Sequence, residues 1–362
     1  MPTTILIGEG ALAVHCLDVL ARHGLNPALV CSFDGSLVQP CEARGLPHVD
    51  TRAAVSAWLD EHGCDLLLSV RNPWLLPASV LGAVRQRAVN FHDSPLPRYA
   101  GLHATSWALL HGEREHGISW HEITTGVDEG RLLCQVKVPI AADDTALTLN
   151  TKCYEAAASA FEGVAAALAA GTEVLTPQQG EGSYFSGKDR PAAQCVIELD
   201  GPAAAVVDLV RALDFGHAPN PLGRAKLWLP EGPRLVRAAV ALPTPSTAAP
   251  GTLLACDGGT LRIATRTVDV ELSGLADRDG RPLDEAQVHA AFAGWCGRVL
   301  PALDAEARAR LTDLDRRFCR RERAWVGRLT AGVTPVEHPY VPAEGWGPLR
   351  AAGLPQLGEV LG

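Results

Sequence analysis

The strongest constraint on the fold is a repeated switch of hydrophobic period along the first ninety residues. "TTILIGEGALAVHCLDVLARHG", residues 3–24, reads as a buried strand, a glycine turn and a helix with apolar residues at helical spacing. "PALVCSF" and "CDLLLSV" read as second and third strands, with the helix "TRAAVSAWLDEHG" between them, and "QRAVNFH" as a fourth. Strands that alternate with helices predict an α/β fold with a doubly wound, mostly parallel sheet. In such sheets chemistry gathers at the carboxyl ends of the strands. "NFHDSPLPRYAG", residues 90–101, lies at one of those ends and sets Asn90 and His92 just before a corner built on Pro95 and Pro97.

Further along, "TSWALLHG" predicts a short helix, and "GISWHEIT" and "GRLLCQVKVPI" two more strands. A helix is expected from about Thr145 to Gly171, with Leu149, Tyr154, Phe161, Val164 and Leu168 on one face. The glycine-rich "GTEVLTPQQGEGSYF" closes this first domain. A helix around "PAAAVVDLVRAL" then precedes the short strands "RAKLWL", "GTLLA", "TLRIAT" and "VDVEL", a pattern that suits a small β-barrel. From about residue 286 the chain reads as helical and arginine-rich, ending in a Pro/Gly-rich stretch.

Charge and cysteine usage narrow the function. A formal net charge of −9 opposes a broad nucleic-acid surface, which needs clustered Lys and Arg. The 10 cysteines show no C-x-x-C and no zinc-like grouping with histidine, so they read as reduced thiols of a cytoplasmic protein. No signal peptide, membrane span or metal site is expected.

Three constellations compete for the polar residues. Gly8-x-Gly10-x-x-Ala13, with Asp34 after the second strand, fits a dinucleotide fingerprint, but tight strand-to-helix turns favour glycine for packing alone. Ser94, His92 and Asp128 have the residue types of a hydrolase triad but lack the G-x-S-x-G elbow, and Ser94 is better placed to bond backbone at the turn. The third constellation takes Asn90 and His92 together. Alternate strand residues share a face, so both point into one cleft while Phe91 packs the other way. An Asn amide can donate to an oxyanion, and a neutral imidazole can accept a proton from an attacking amine. A carboxylate beside it, with Asp128 in "TTGVDEG" the candidate, would fix the tautomer and stabilise the cation. Such a site transfers acyl groups without a metal.

"NFHDSPLPRYAG" followed by "GEREHGISWHEITTGVDEGRLLCQ" resembles the 10-formyltetrahydrofolate-dependent formyltransferases. Their signature is N-x-H-x-S-x-L-P…G, then G-x-x-x-x-G-[ILV]-[ST] and an Asp in a D-x-G loop. Asn90, His92, Ser94, Leu96, Pro97, Gly112, Gly117, Asp128 and Gly130 all match, and the spacing from His92 to Asp128 fits as well. The likeness covers roughly residues 1–285, in the two-domain arrangement of methionyl-tRNA formyltransferase. It implies a Rossmann-like catalytic domain at 1–185, an OB-like β-barrel domain at 186–285 and a helical tail at 286–362.

The resemblance implies N10-formyltetrahydrofolate as formyl donor, no metal, and Asn90, His92 and Asp128 as catalytic residues. It places the pterin between "RNPWLLP" (Asn72, Trp74, Leu75, Leu76) and "TTGVDEG" (Gly126, Val127, Asp128). Core packing is the competing reading for Trp74 and Leu75. Ser94, Tyr99 and His103 are the candidates on the acceptor side. His121 reads as a hydrogen-bonded core residue, and His111 and His116 as water-facing.

The tRNA-modifying branch of the family carries a basic insertion after the second strand. Here residues 31–50 hold one Lys or Arg, Arg44, and Ala100 precedes Gly101 where that branch has a basic residue. The tail "LTDLDRRFCRRERAWVGRLTAGVTPVEHPYV" is similar to a linker beside condensation domains of nonribosomal peptide synthetases. An ordinary amphipathic helix with an arginine-rich solvated face is the competing reading. The expected acceptor is therefore an amine on a small molecule or a carrier-bound aminoacyl group, in natural-product biosynthesis with possible synthetase partners, without nucleic acid or membrane. An amino-sugar N-formyltransferase, a formyl-folate hydrolase and a non-catalytic docking domain are the alternatives.

Overall fold

The computed structural model describes residues 2–330, with side chains described through residue 317. The chain forms two compact units. The first takes in Met1–Ala108, Glu113–Asp144 and Thr148–Ser186; the second takes in Leu109–Gly112, Thr145–Leu147 and the chain from Gly187.

The first unit is built on one seven-stranded sheet. In chain order its elements are β1 (Thr4–Gly8), α1 (Gly10–Arg22), β2 (Pro27–Cys31), α2 (Val38–Arg44), β3 (His48–Val49), α3 (Arg52–His62), β4 (Cys64–Val70), α4 (Ala78–Gly82) and β5 (Val84–His92). They are followed by β6 (Ala100–Gly101), α5 (Ala104–Leu110), β7 (Glu115–Glu122), β8 (Leu132–Pro139), α6 (Ala146–Ala170) and β9 (Tyr184–Phe185). The sheet runs β3-β2-β1-β4-β5-β7-β8. Pairing is parallel from β3 through β5 and antiparallel at β5–β7 and β7–β8. Every residue of β1 is buried, as expected for a strand covered on both faces.

The "GEGALA" turn has a packing explanation. A Cβ on Gly8 would lie 2.7 Å from the Val70 carbonyl and 3.0 Å from the Ala13 methyl. The glycine and the alanine of the motif thus let β1, β4 and α1 approach one another. Helix α6 covers the β5–β7 region with Leu149, Phe161, Val164 and Leu168 buried as expected, while Tyr154 lies at the margin and Cys153 is buried beside it. Phe161 packs on Trp120 of β7 at 4.7 Å between ring centres, and the Trp120 indole N–H donates to the Ala157 carbonyl at 3.3 Å. Trp120 is one of the largest side chains wholly out of water, where an unpaired indole N–H would be costly.

The second unit holds α7 (Ala203–Leu213), a two-stranded pair β10 (Lys226–Leu227) and β11 (Arg234–Leu235), and four longer strands. These are β12 (Ala238–Pro245), β13 (Leu253–Asp257), β14 (Thr260–Ile263) and β15 (Val268–Ser273), an antiparallel sheet in the order β12-β15-β14-β13. Strand β12 gave no signal in the sequence: it carries Pro243 and Pro245, which ordinarily break a strand. It is an edge strand whose register shifts between Ala241 and Pro245, a setting in which a sheet tolerates proline. Helices α8 (Glu285–Phe292) and α9 (Ala305–Thr330) follow. Asp284 caps α8 with a reciprocal bond pair to Gln287, and Arg308 of α9 pairs with Glu198 at 2.8 Å. The "GVTPVEHPYV" part of the expected linker, and the side chains of its "CRRERAWVGRLT" part, lie outside the described residues.

Nine cysteines are described and none is in a disulfide. Burial pushes the Cys31 and Cys64 thiols up to about 11, which leaves them inert at neutral pH. Among the described residues, no helix is long and apolar enough to cross a membrane, and no cluster of His, Cys, Asp or Glu could hold a metal.

Candidate active site

The site forms where β5 ends. Register sets Ser69 of β4 beside Asn90, and Asn90 beside His121 of β7. The Ser69 hydroxyl donates to Asn90 Oδ1 at 2.7 Å, and Asn90 Nδ2 lies 3.2 Å from His121 Nε2. The second N–H of the Asn90 amide has no partner among the described residues. Phe91 turns to the other face, buried against Trp120 and Tyr154 at 5.5 and 5.9 Å. The alternation expected from the sequence is thus present.

His92 is 7% exposed, and its Nε2 lies 2.9 Å from the Tyr99 carbonyl. A carbonyl only accepts, so Nε2 carries the proton and Nδ1 is the basic position. Nδ1 faces Asp128 Oδ2 at 3.6 Å, beyond hydrogen-bond length. This corrects the expectation that Asp128 fixes the His92 tautomer: the Tyr99 carbonyl does so, and the carboxylate is placed to favour the imidazolium once Nδ1 takes a proton.

Asp128 sits between two imidazoles, with Oδ1 3.5 Å from His121 Nε2 and Oδ2 opposite His92. Oδ2 also accepts the Gly101 backbone N–H at 2.9 Å. Burial alone would raise the pKa of this carboxyl, but the two imidazoles in their protonated forms and the Gly101 amide outweigh it and hold the group at about 2. Asp128 has a φ of 55°, and its loop is clamped by Gln178, whose amide donates to the Asp128 and Gly130 carbonyls at 2.6 and 2.7 Å.

The proline corner is strapped from outside by residues 183–185. The Tyr99 amide donates to Ser183 Oγ at 2.8 Å, the Ala100 amide to the Ser183 carbonyl at 2.9 Å, and the Leu102 amide to the Phe185 carbonyl at 2.8 Å. Gly101 is required there, because its φ is 95° and a Cβ would collide with the Phe185 carbonyl.

The other expected residues divide. Ser94 is fully buried and spends its hydroxyl on the Arg98 carbonyl at 2.8 Å, so it shapes the turn and cannot reach an acceptor. Tyr99 is 3% exposed with its phenol donating to Glu113 at 2.8 Å; it serves the site through its carbonyl. His103 is half-buried with a φ of 61° at the head of α5. Asn72 closes a turn on itself, accepting from the Trp74 amide at 2.8 Å and donating to the Trp74 carbonyl at 3.1 Å. Trp74 belongs to the core cluster with Ile5, Ile7, Leu29 and Leu67, so the core reading holds for it. Leu75 instead stands 74% exposed. Leu76 and Ile123 both pack against the Trp74 cluster, so the loops at 71–77 and 124–130 spring from adjoining positions. Gly126 and Val127 are half-buried in the second of these loops.

Sequence reasoning missed Ser69, His121 and Gln178 as parts of the site, and left His116 facing water. His116 is 1% exposed, donating from Nε2 to the Asp93 carbonyl at 2.8 Å with its ring beside Tyr99. Strand β7 begins at Glu115, two residues earlier than the apolar pattern suggested, and carries His116 inside.

The strand end joins an amide donor, a basic imidazole nitrogen and an ionised carboxylate, groups of the kind that acyl transfer can use. Residues 33–164, which contain all three groups, match the family described as Formyl transferase, so the chain carries a formyltransferase domain. Among solved structures, WlaRD, a sugar 3N-formyl transferase crystallised with dTDP and 5-N-formyl-THF, is similar at 17% identity and a TM-score of 0.61. The match covers 75% of this chain and 97% of WlaRD. The N-formyltransferase from Helicobacter canadensis, in complex with folinic acid and dTDP-3-aminofucose, matches at 16% identity and a TM-score of 0.62, over 76% of this chain and all (100%) of that one. HypX from Aquifex aeolicus, in complex with tetrahydrofolic acid, matches at 16% identity and a TM-score of 0.54, over 84% of this chain and 50% of HypX. Identities this low establish a shared fold.

Proposed function

We propose that this protein transfers the formyl group of N10-formyltetrahydrofolate to the amine of a small-molecule acceptor. The observation that carries the reading is the geometry at Asn90, His92 and Asp128: one free amide N–H, one unprotonated Nδ1 and one ionised carboxylate at a single strand end. The residues present fit a folate donor, since two adjoining loops frame this strand end and one of them presents the exposed Leu75. The folate supplies an activated formyl carbon for the amine to attack.

Everything else falls to the chain. The second Nδ2–H of Asn90 donates to the formyl oxygen as charge builds there, a contact typically worth about 10²–10³ in rate. His92 Nδ1 accepts the amine proton, becomes a cation opposite Asp128, and returns a proton to the departing folate nitrogen. Acid–base transfer of this kind supplies about 10²–10⁴. Asp128, already ionised, stabilises that cation without exchanging a proton itself.

An amino sugar is the acceptor reading that the comparisons support, because WlaRD and the Helicobacter canadensis enzyme are sugar and N-formyltransferases crystallised with dTDP or a dTDP-amino sugar. A carrier-bound aminoacyl acceptor rests on the linker likeness of the tail alone. We read the domain layout as a catalytic domain at 1–185, an OB-like domain at 186–285 that contains the four-stranded antiparallel sheet, and a helical tail at 286–362. The test is incubation with 10-formyltetrahydrofolate and a panel of amines: nucleotide-linked amino sugars, free amino acids and carrier-bound aminoacyl thioesters. Tetrahydrofolate release that requires an amine supports transfer, release without one shows hydrolysis, and no folate binding at all refutes the reading.

A further inference from the structure

His121 is a buried titratable group beside the site that this mechanism leaves without a task. It is 2% exposed, and register makes it the third member of a row across three strands: Ser69 on β4, Asn90 on β5, His121 on β7. The hydrogen bonds along that row have a direction. His121 Nδ1 lies 2.7 Å from the Glu122 carbonyl, so Nδ1 carries a proton. In the neutral ring Nε2 is then a lone pair, and the group 3.2 Å away must be a donor. That forces the NH₂ end of the Asn90 amide toward His121 and its oxygen toward the Ser69 hydroxyl, as observed at 2.7 Å. A cationic His121 would demand the reverse. With protons on both nitrogens it would offer Nε2–H to Asp128 Oδ1, 3.5 Å away, and turn the Asn90 oxygen toward itself.

We propose that His121 is a positioning residue: as a neutral Nδ1–H imidazole it holds one N–H of Asn90 and so aims the other at the reacting oxygen. The two histidines of the site therefore work in opposite tautomers. His92 is protonated at Nε2 with Nδ1 basic, while His121 is protonated at Nδ1 with Nε2 accepting. Asp128 lies between the two unprotonated nitrogens and is reserved for whichever ring becomes charged, which during turnover is His92. An unaimed amide still donates part of the time, so losing the aim costs less than losing the amide.

This inference rests on the formyl-transfer reading, and its test separates the two. In His121→Phe the acceptor is gone and Asn90 is free to rotate: kcat is expected to fall about 10- to 100-fold with KM for the folate within about threefold. His121→Gln places an uncharged carbonyl acceptor near the old Nε2 and is expected to recover kcat to within about fivefold of wild type. Recovery by Gln is the outcome that a purely structural role would not give; equal losses in both variants, or no loss in either, overturn the proposal. Imidazole ¹⁵N shifts of the wild-type protein are read in parallel and need no turnover. An Nδ1–H signature for His121 with an Nε2–H signature for His92 upholds the arrangement. A protonated Nε2 on His121 overturns it, even if the wild-type enzyme transfers no formyl group and the functional reading has fallen separately.

Discussion

Gly101 donates its backbone N–H to Asp128 Oδ2 at 2.9 Å, so the residue that ends the proline corner holds the carboxylate that faces the His92 imidazole. The two lie 27 positions apart in sequence, and the strap at 183–185 closes over the same corner. The corner, the strap over it and the Gln178 clamp on the Asp128 loop thus fix one carboxylate, and disturbing any of them reaches His92 through it.

Gly101→Ala tests this linkage. The new methyl meets the Phe185 carbonyl, and the φ of 95° is unsuited to alanine. We expect a loss of roughly 1–3 kcal/mol in denaturant unfolding. We also expect a fall in kcat at temperatures where the variant is fully folded, because the Gly101 amide can no longer sit on Asp128. A folded variant with wild-type kcat would separate the corner from the chemistry.

Asp128→Asn carries a pH signature. The folded pKa of about 2 lies below the ordinary aspartate value of 3.8, so the ionised group favours the folded state. That contribution is complete above about pH 4 and disappears as pH falls toward 2. The variant should be less stable than wild type by up to roughly 2 kcal/mol in denaturant titrations near pH 5. The gap should hold down to about pH 4.5 and narrow below it. A gap that does not change with pH would show that ionisation is not its source.

Trp74 and Leu75 are neighbours with opposite tasks. Trp74 is part of the core, so Trp74→Ala should cost about 3–5 kcal/mol of stability. Leu75 is 74% exposed, so Leu75→Ala should leave stability within about 0.5 kcal/mol while raising KM for the folate. An unchanged KM in the second variant would remove Leu75 from the donor site.

The strand-and-helix alternation and the Asn90/His92 pair were legible because both follow local periodicities, about 3.6 residues for helices and 2 for strands. What the sequence could not supply was register. Nothing in "GISWHEIT" says that His121 pairs with Asn90 rather than Ser119 or Glu122, and a slip of one residue would have turned it to the opposite face. Gln178 was hidden for a similar reason, since a clamp on backbone carbonyls from a loop about fifty residues away leaves no pattern. Ser94 and Asn72 were over-assigned: both are polar, but both are consumed by the turns they form. Trp74 shows that an aromatic in a loop segment can still be core when the loop doubles back over the sheet.

The most direct test of the account is single-turnover release of tetrahydrofolate from 10-formyltetrahydrofolate and an accepted amine, comparing wild type with His92→Ala. The account predicts release slower by about 10²–10⁴, with folate affinity and the circular dichroism spectrum unchanged. Wild-type release rates in the variant would contradict it.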